Sequence, residues 1–154
     1  DLWIETERDT LVKLLAQVDG LVLNNDEAEQ LAEESNLIRA AEKITEMGPK
    51  FVVVKKGEHG ALIEHSGAKV VLPAWPALEV VDPTGAGDSF AGGMMGYLAA
   101  ADDLSLPSLR KAMAYGTIVA SFNIESFSLD RMKQITRKDI DARYNEFRGM
   151  LNLA

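Results

Sequence analysis

The residues best suited to chemistry lie together in the stretch VVDPTGAGDSFAGG, residues 80–93. Its segment 82–85, Asp-Pro-Thr-Gly, predicts a type I turn, because proline suits the second turn position and glycine the fourth. Gly85, Ala86 and Gly87 have almost no side chain, so their backbone amides can approach a bound group closely. The stretch is therefore a candidate binding loop.

A helix predicted over about residues 86–101 would begin inside this loop. A helix N-terminus offers unpaired N–H donors and a partial positive charge, which attract a phosphate or a developing negative charge. Asp88 falls in the first turn of that helix, where its carboxylate can face a group held by the amides. The alternative is that Asp88 is only a favourable first-turn acid and that the glycines only permit tight packing. The residues alone leave both interpretations open.

Two common nucleotide-binding patterns are absent from the sequence. No Gly-Lys-Ser/Thr occurs, which excludes a P-loop. The dinucleotide pattern G-x-G-x-x-G also fails, because residues 88–90 after Gly87 end in Phe90, where a small residue is required.

Three further glycines are predicted to let the helix over residues 86–101 pack closely against a sheet, namely Gly92, Gly93 and Gly96.

Composition limits the class of protein. The 154 residues are 47% apolar and 26% charged, which is typical of one soluble globular domain. The absence of cysteine excludes disulfides and thiolate zinc sites, and the net charge of −8 disfavours nucleic acid and anionic membranes as partners. No membrane span or signal peptide is recognisable, so a cytoplasmic location is expected. His59 and His65 lack a metal-binding or triad pattern and are predicted to be surface residues.

Apolar periodicity predicts strands that alternate with helices, which indicates an α/β fold with helices on the faces of a parallel sheet. Gly48-Pro49 should end the helix predicted over residues 26–47. The predicted elements are a helix over residues 9–18, a strand over 21–24, a helix over 26–47, a strand over 51–56, a hairpin over 61–73, and helices over 86–101, 106–122 and 137–151.

Residues 80–93 resemble the C-terminal signature of the ribokinase-like (PfkB) family of sugar and nucleoside kinases, whose core reads D-T-x-G-A-G-D. Residues 24–27, Asn-Asn-Asp-Glu, match the N-x-x-E motif of that family, and residues 55–60, Lys-Lys-Gly-Glu-His-Gly, match its loop T-x-G-x-x-G. The resemblance covers essentially the whole chain, but only the second half of such an enzyme. It implies an α/β, ribokinase-like fold with a mostly parallel sheet and flanking helices. We expect residues 1–154 to be the C-terminal ATP-binding part of one kinase domain, without the N-terminal half and lid, and the start at Asp1 fits that expectation.

The resemblance implies catalytic roles for the loop. Asp88 would be the general base that takes the proton from the acceptor hydroxyl, while the amides of Gly85, Ala86 and Gly87 would stabilise charge on the transferring phosphoryl group. Phosphoryl transfer is largely dissociative, so a weak base is sufficient when positioning and charge stabilisation carry most of the rate.

It also implies sites for cations. Asn24 and Glu27 would lie near Mg²⁺ and the ATP phosphates and act through water, since Mg²⁺ prefers oxygen ligands and keeps its water shell. The same spacing is also typical of a helix capping box with Asn24 as the cap. The spacing alone does not distinguish Mg²⁺ binding from capping, and both can hold. Asp82 matches a position associated with a monovalent cation such as K⁺, and alternatively it only starts the turn.

For the nucleotide, the resemblance implies that Gly57 and Gly60 shape a loop beneath it. Lys55 replaces the threonine common in the family, and adds positive charge near the phosphates unless it is a solvated strand end. Tyr115 and Asn123 are the two candidates for contact with the adenine.

The function that the resemblance implies is transfer of the γ-phosphoryl group of ATP to a hydroxyl of a sugar. A nucleoside kinase of the adenosine or inosine type and a non-catalytic nucleotide-binding module are the alternatives. The acceptor would be a small molecule, with no nucleic acid or membrane partner, and the oligomeric state, a homodimer included, is left open. In the family the acceptor site and lid come mainly from the N-terminal half, so this chain alone is expected to have little or no kinase activity.

Overall fold

The computed structural model describes residues 2–152, which divide into two compact units at the boundary between Pro73 and Ala74. The first unit contains α1 (Leu2–Thr6), α2 (Arg8–Leu15), β1 (Gly20–Asn24), α3 (Asn25–Ala32), α4 (Leu37–Glu46), β2 (Phe51–Lys55), β3 (Ala61–His65) and β4 (Ala68–Leu72). The second contains α5 (Ala86–Ala101), α6 (Leu106–Asn123) and α7 (Arg137–Met150). The predicted helix over 86–101 is confirmed, and the two that follow it agree to within one residue at each end.

The strands of the first unit form one sheet in the order β1-β2-β3-β4. Strand β1 runs parallel to β2, whereas the β2–β3 and β3–β4 pairings are antiparallel. The expected α/β class is thus confirmed, but within the described residues the sheet is mixed and not mostly parallel. The reason is that the hairpin of β3 and β4, which the sequence predicts, supplies both antiparallel pairings.

The core of the first unit lies between this sheet and helices α3 and α4. Strand β2 is buried along residues 51–54, as its β-branched run predicts. The side chains of the core are those of Ile4, Leu15, Leu23, Ala28, Leu31, Ala32, Ala40, Ala41, Ile44, Val52, Val54 and Leu62.

The long helix predicted over residues 26–47 is wrong, because the chain breaks it into α3 and α4. Glu33 ends α3 in the left-handed conformation, with a φ of 51°. Asn36 then begins α4, where its side-chain oxygen accepts hydrogen bonds from the amides of Ile38 and Arg39, each at 3.1 Å. An asparagine that satisfies two first-turn amides stabilises a new helix start more than it would a helix interior.

In the second unit, α5 and α6 lie side by side through two glycines. A Cβ on Gly93 would come within 2.8 Å of the Val119 side chain, and one on Gly116 within 2.7 Å of the carbonyl oxygen of Phe90. Gly93 therefore permits close packing as predicted, but the predicted partner is wrong, because Gly93 packs against helix α6 and not against a sheet. The predicted packing role is wrong for Gly92 and Gly96, where an added Cβ would meet no described atom within 4 Å.

None of the helices within residues 2–152 combines the length and the apolar content that crossing a membrane requires.

The turn after β2 depends on Gly60. Its φ of 90° lies in a region that side-chain-bearing residues rarely adopt. An added Cβ would also lie 2.0 Å from the carbonyl oxygen of Leu72 and 2.7 Å from the Cα of Pro73, both of them backbone atoms. The loop can therefore pack against the end of β4 only with glycine at this position.

We expect Gly60→Ala to lower the free energy of unfolding by about 3 kcal/mol or more, because strain and a backbone clash add at this site. Gly67→Ala is the matched control, since Gly67 has a φ of 83° but no atom within 4 Å of the added Cβ. It should lose only about 1 kcal/mol. Urea denaturation of both variants measures the difference, and equal losses would contradict the assigned clash.

Candidate functional site

The predicted type I turn over residues 82–85 is wrong, because the hydrogen-bonded turn lies one residue further along the chain. The amide of Ala86 donates to the carbonyl oxygen of Pro83 at 3.1 Å. Gly85 has a φ of 79° and a ψ of 0°, the values of the third residue of a type II turn. That position favours glycine because it requires a positive φ, so Gly85 fixes which four residues form the turn.

The turn leads directly into the N-terminus of α5. The amide of Ser89 donates to the carbonyl oxygen of Gly85 at 2.8 Å and closes the first helical turn. Among the described residues, the amides of Gly85, Gly87 and Asp88 have no backbone acceptor, whereas the amide of Ala86 is used in the turn. The amides left to bind an anion are therefore not quite the predicted set: Asp88 supplies one in place of Ala86.

The carboxylate of Asp88 is exposed in the first turn of α5. It forms no hydrogen bond or ion pair with another of residues 2–152. An acidic group here is stabilised by the partial positive charge of the helix N-terminus. The arrangement joins a carboxylate that is open to a bound molecule with amides that are open to an anion.

Asn123, predicted as an adenine contact, instead holds this loop. It is only 1% exposed, at the C-terminal end of α6. Its Nδ2 donates to the carbonyl oxygen of Thr84 at 2.8 Å, and its Oδ1 accepts a hydrogen bond from the Ser89 hydroxyl at 2.9 Å. Ser89 is a further residue of the site that no sequence pattern indicated, because its partner Asn123 lies 34 residues away.

Asp82 bridges the turn and a second loop. Its Oδ1 accepts the amide of Thr84 at 2.9 Å and its Oδ2 accepts the amide of Ser128 at 3.2 Å. The backbone N–H of Thr84 is the largest cause that lowers the pKa of Asp82, followed by the Thr84 hydroxyl and the Ser128 N–H. Asp82 thus lies just before the turn of residues 83–86 and holds it through the Thr84 amide, while its K⁺ role stays a prediction.

In the first unit, the predicted residues meet at the carboxyl ends of the parallel strands β1 and β2. Asn24 ends β1 and lies opposite Lys55, which ends β2. The loop that follows Lys55 contains a short 3₁₀ helix, Gly57–His59, and then Gly60. In α/β sheets the carboxyl ends of parallel strands are where ligands bind, so this edge is the candidate nucleotide side of the first unit.

Asn24 and Glu27 form a complete capping box on α3. The Asn24 side chain accepts the amide of Glu27 at 2.8 Å, and the Glu27 carboxylate accepts the amide of Asn24 at 2.8 Å. The capping alternative is confirmed. The capping box leaves Oε1 of Glu27 without a hydrogen-bond partner among the described residues, so a role toward Mg²⁺ stays a prediction.

Tyr115, the other predicted adenine contact, lies inside a stack of three tyrosines. Its ring centroid is 5.0 Å from that of Tyr97 and 4.5 Å from that of Tyr144, with the planes nearly parallel. Its hydroxyl donates to Asp141 at 2.9 Å. Burial, followed by that bond to Asp141, raises the pKa of the Tyr115 hydroxyl. Both ring faces are covered, which leaves no face for an adenine.

A cleft of about 500 Å³ also lies in the second unit, and none of the predicted site residues lines it. Trp75, Leu78 and Val81 form an apolar wall, and Glu125 and Arg143 are among its polar residues. Arg143 already pairs with Glu125 at 2.6 Å. No site function is assigned to this cleft.

Comparison with known proteins first gives the class of fold. The aminoimidazole riboside kinase from Salmonella enterica, complexed with aminoimidazole riboside and an ATP analog, matches with a TM-score of 0.75 and 24% identity, over 91% of this chain and 45% of that chain. The fold is that of ribokinase-like kinases.

The family then follows from the sequence match. Residues 1–135 match the family described as pfkB family carbohydrate kinase. Because this is most of the 154 residues, the chain belongs to the PfkB family.

Two curated relatives are similar in sequence. The cytidine kinase of Thermococcus kodakarensis is 38% identical over 93 residues, which are 58% of this chain and 33% of the relative. The nucleoside kinase of Methanothermobacter thermautotrophicus is 36% identical over 119 residues, 77% of this chain and 35% of the relative. The chain thus spans about a third of the length of these relatives.

The hydrogen bonds to Asp82 predict a pH dependence of the loop. Because the pKa of Asp82 is lowered, the ionised form stabilises the loop above the usual aspartate pKa of about 4, and this stabilisation is lost as the pH falls through the lowered value. NMR titration of the Asp82 carboxyl carbon should give a midpoint below the usual aspartate value of about 4, and the Thr84 and Ser128 amide shifts should follow the same titration. A midpoint at or above that usual value would exclude these bonds.

The tyrosine stack predicts that Tyr115 makes little contribution to nucleotide binding. Tyr115→Phe keeps the stack and removes the hydroxyl, with its bond to Asp141 and the longer one from Arg137. We therefore expect the KM for ATP of the complete gene product to change less than about twofold. Steady-state kinetics at saturating acceptor measure it. A rise of about tenfold or more would restore Tyr115 as a nucleotide contact.

Proposed function

We propose that the chain is the ATP-binding part of a kinase that transfers the γ-phosphoryl group of ATP to a hydroxyl of a sugar. One observation carries the proposal: the amides of Gly85, Gly87 and Asp88 and the exposed carboxylate of Asp88 share the first turn of α5, in a chain of the PfkB family. The ATP analog bound to the Salmonella enterica enzyme supports ATP as the donor.

The loop amides would act on the transferring group. Amides at a helix N-terminus donate hydrogen bonds and bring a partial positive charge, so they stabilise negative charge that develops on the phosphoryl oxygens. This contribution needs no rearrangement during the reaction, because the turn and the first bonds of α5 already fix the amides. Loop geometry would therefore supply most of the catalysis.

Asp88 would accept the proton of the acceptor hydroxyl. The hydroxyl oxygen forms its bond to the γ-phosphorus, the bond from that phosphorus to the bridging oxygen of ADP breaks, and the proton passes to a carboxylate oxygen of Asp88. In a largely dissociative transfer the proton leaves late, which suits a carboxylate. The exposure of Asp88 and its lack of a partner among the described residues fit this role.

The residues at the end of β1 fit Mg²⁺. Glu27 keeps one carboxylate oxygen free of the capping box, and Asn24 is exposed beside it. Within residues 2–152 no three acidic or histidine side chains converge as a metal site. Mg²⁺ in kinases is commonly held by one or two protein oxygens and the substrate phosphates, and it would neutralise phosphate charge here. We assign the protein's share to Glu27 through water.

A nucleoside is the second candidate acceptor, because both curated relatives reported above are nucleoside kinases by name. The complete gene product should be tested with ATP and Mg²⁺ against pentoses, hexoses, and pyrimidine and purine nucleosides. ADP release and the mass of the phosphate ester identify the acceptor. Binding of ATP without turnover on any of these alcohols would contradict the proposal and favour a non-catalytic nucleotide-binding module.

We expect Asp88→Asn in the complete gene product to lower kcat by about 10² to 10⁴, because the amide cannot accept the hydroxyl proton. Asp9→Asn is the control, since Asp9 is an exposed aspartate in the first turn of α2 and should leave kcat unchanged. Initial rates of ADP release compare the variants. A loss of less than about tenfold for Asp88→Asn would remove the general-base role.

A further inference from the structure

The loop before α5 is held in place from the C-terminal end of α6. The carbonyl oxygen of Ile124 accepts the amide of Val81 at 2.8 Å, and the Asn123 side chain bonds to Thr84 and Ser89. These contacts lie on both sides of Gly85, before the turn and inside the first helical turn. Residues 123–124 therefore fix both ends of the segment that carries the loop amides.

Asn123 makes the central pair of these bonds. It donates with Nδ2 to Thr84 O and accepts with Oδ1 from Ser89, so one planar amide supplies both the donor and the acceptor. The site of an added Cβ on Gly85 lies 3.6 Å from its Oδ1, so the amide also contacts the turn residue with positive φ. At 1% exposure it does not face solvent or a bound nucleotide.

The end of α6 is itself held rigidly. Glu125 pairs with Arg143 at 2.6 Å and with Arg131 at 3.0 Å, so two cations hold the residue that follows Ile124. The Arg143 guanidinium also lies 3.5 Å from the centre of the Phe122 ring. Asn123 thus extends from an anchored helix end into the turn that contains Gly85.

We propose that Asn123 is the positioning residue of this site, an inference that rests on the proposed function. It touches neither the reacting atoms nor the nucleotide, and acts by setting the direction of the amides of Gly85, Gly87 and Asp88. A displacement of about 1 Å at a reacting centre can cost about 10²-fold in rate. Loss of the hydrogen bond from Asn123 to Thr84 O should therefore lower kcat.

The test uses the complete gene product with ATP, Mg²⁺ and the acceptor that supports turnover. We expect Asn123→Ala to lower kcat about 10- to 100-fold and to change the KM for ATP less than about threefold. Asn123→Asp keeps the size but loses the donor to Thr84 O when ionised, so it should not restore kcat. Hydrogen exchange should rise in a peptide that spans residues 83–89 and remain unchanged in the rest of α6.

Two further variants separate positioning from general stability. Thr117→Val removes a buried hydroxyl from the same helix, α6. That hydroxyl bonds only to Met113 O, so the variant should leave kcat unchanged. Ser89→Ala removes the partner of Asn123 Oδ1 and should lower kcat less than Asn123→Ala does. In the double variant that combines Asn123→Ala with Ser89→Ala, the second substitution should not lower kcat further, because the two side chains act as one unit.

If Asn123→Ala does not fold, Ser89→Ala with its exchange measurement carries the test. Unchanged kcat and unchanged exchange at 83–89 in a folded Asn123 or Ser89 variant would overturn the inference, as would an equal kcat loss in Thr117→Val. If the unmodified protein transfers phosphoryl normally in such a case, only the inference fails. If the unmodified protein turns over no alcohol, the proposed function fails first and the inference falls with it.

Discussion

The close approach of α5 and α6 is the constraint on which the second unit depends. Gly93 and Gly116 remove the side chains that would separate these helices, since an added Cβ at either would overlap atoms of the other helix. The contact costs helix propensity at two positions, but it brings the C-terminal end of α6 within hydrogen-bonding reach of the loop before α5. The geometry of the loop at Gly85 follows from helix packing more than from the loop sequence.

Features that depend on neighbours in sequence could be predicted from the sequence. The β-branched run 51–54, the hairpin of β3 and β4 and the start of α5 at Ala86 are local patterns, and the structure has them. The capping box of Asn24 and Glu27 is likewise a local signal, contained in four consecutive residues. The family motif identified the loop around Gly85 for the same reason, because it is a contiguous stretch of residues.

Features that depend on distant contacts could not be predicted. Asn123 lies 39 residues from Thr84, so no local pattern reveals their bond. The stacking of Tyr115 was likewise not predictable, because its partners Tyr97 and Tyr144 are far away in sequence and the packing of three helices brings the rings together. The break between α3 and α4 was missed because apolar periodicity continues across Asn36, whose capping bonds outweigh it.

The stack formed by Tyr97, Tyr115 and Tyr144 has a spectroscopic consequence, because these are the three tyrosines of the chain. Parallel rings at such short separations couple their electronic transitions, so the near-ultraviolet dichroism of tyrosine comes from a single place. The tyrosine band is then a built-in label for the junction of α5, α6 and α7, and it reports on that junction without any chemical modification of the chain.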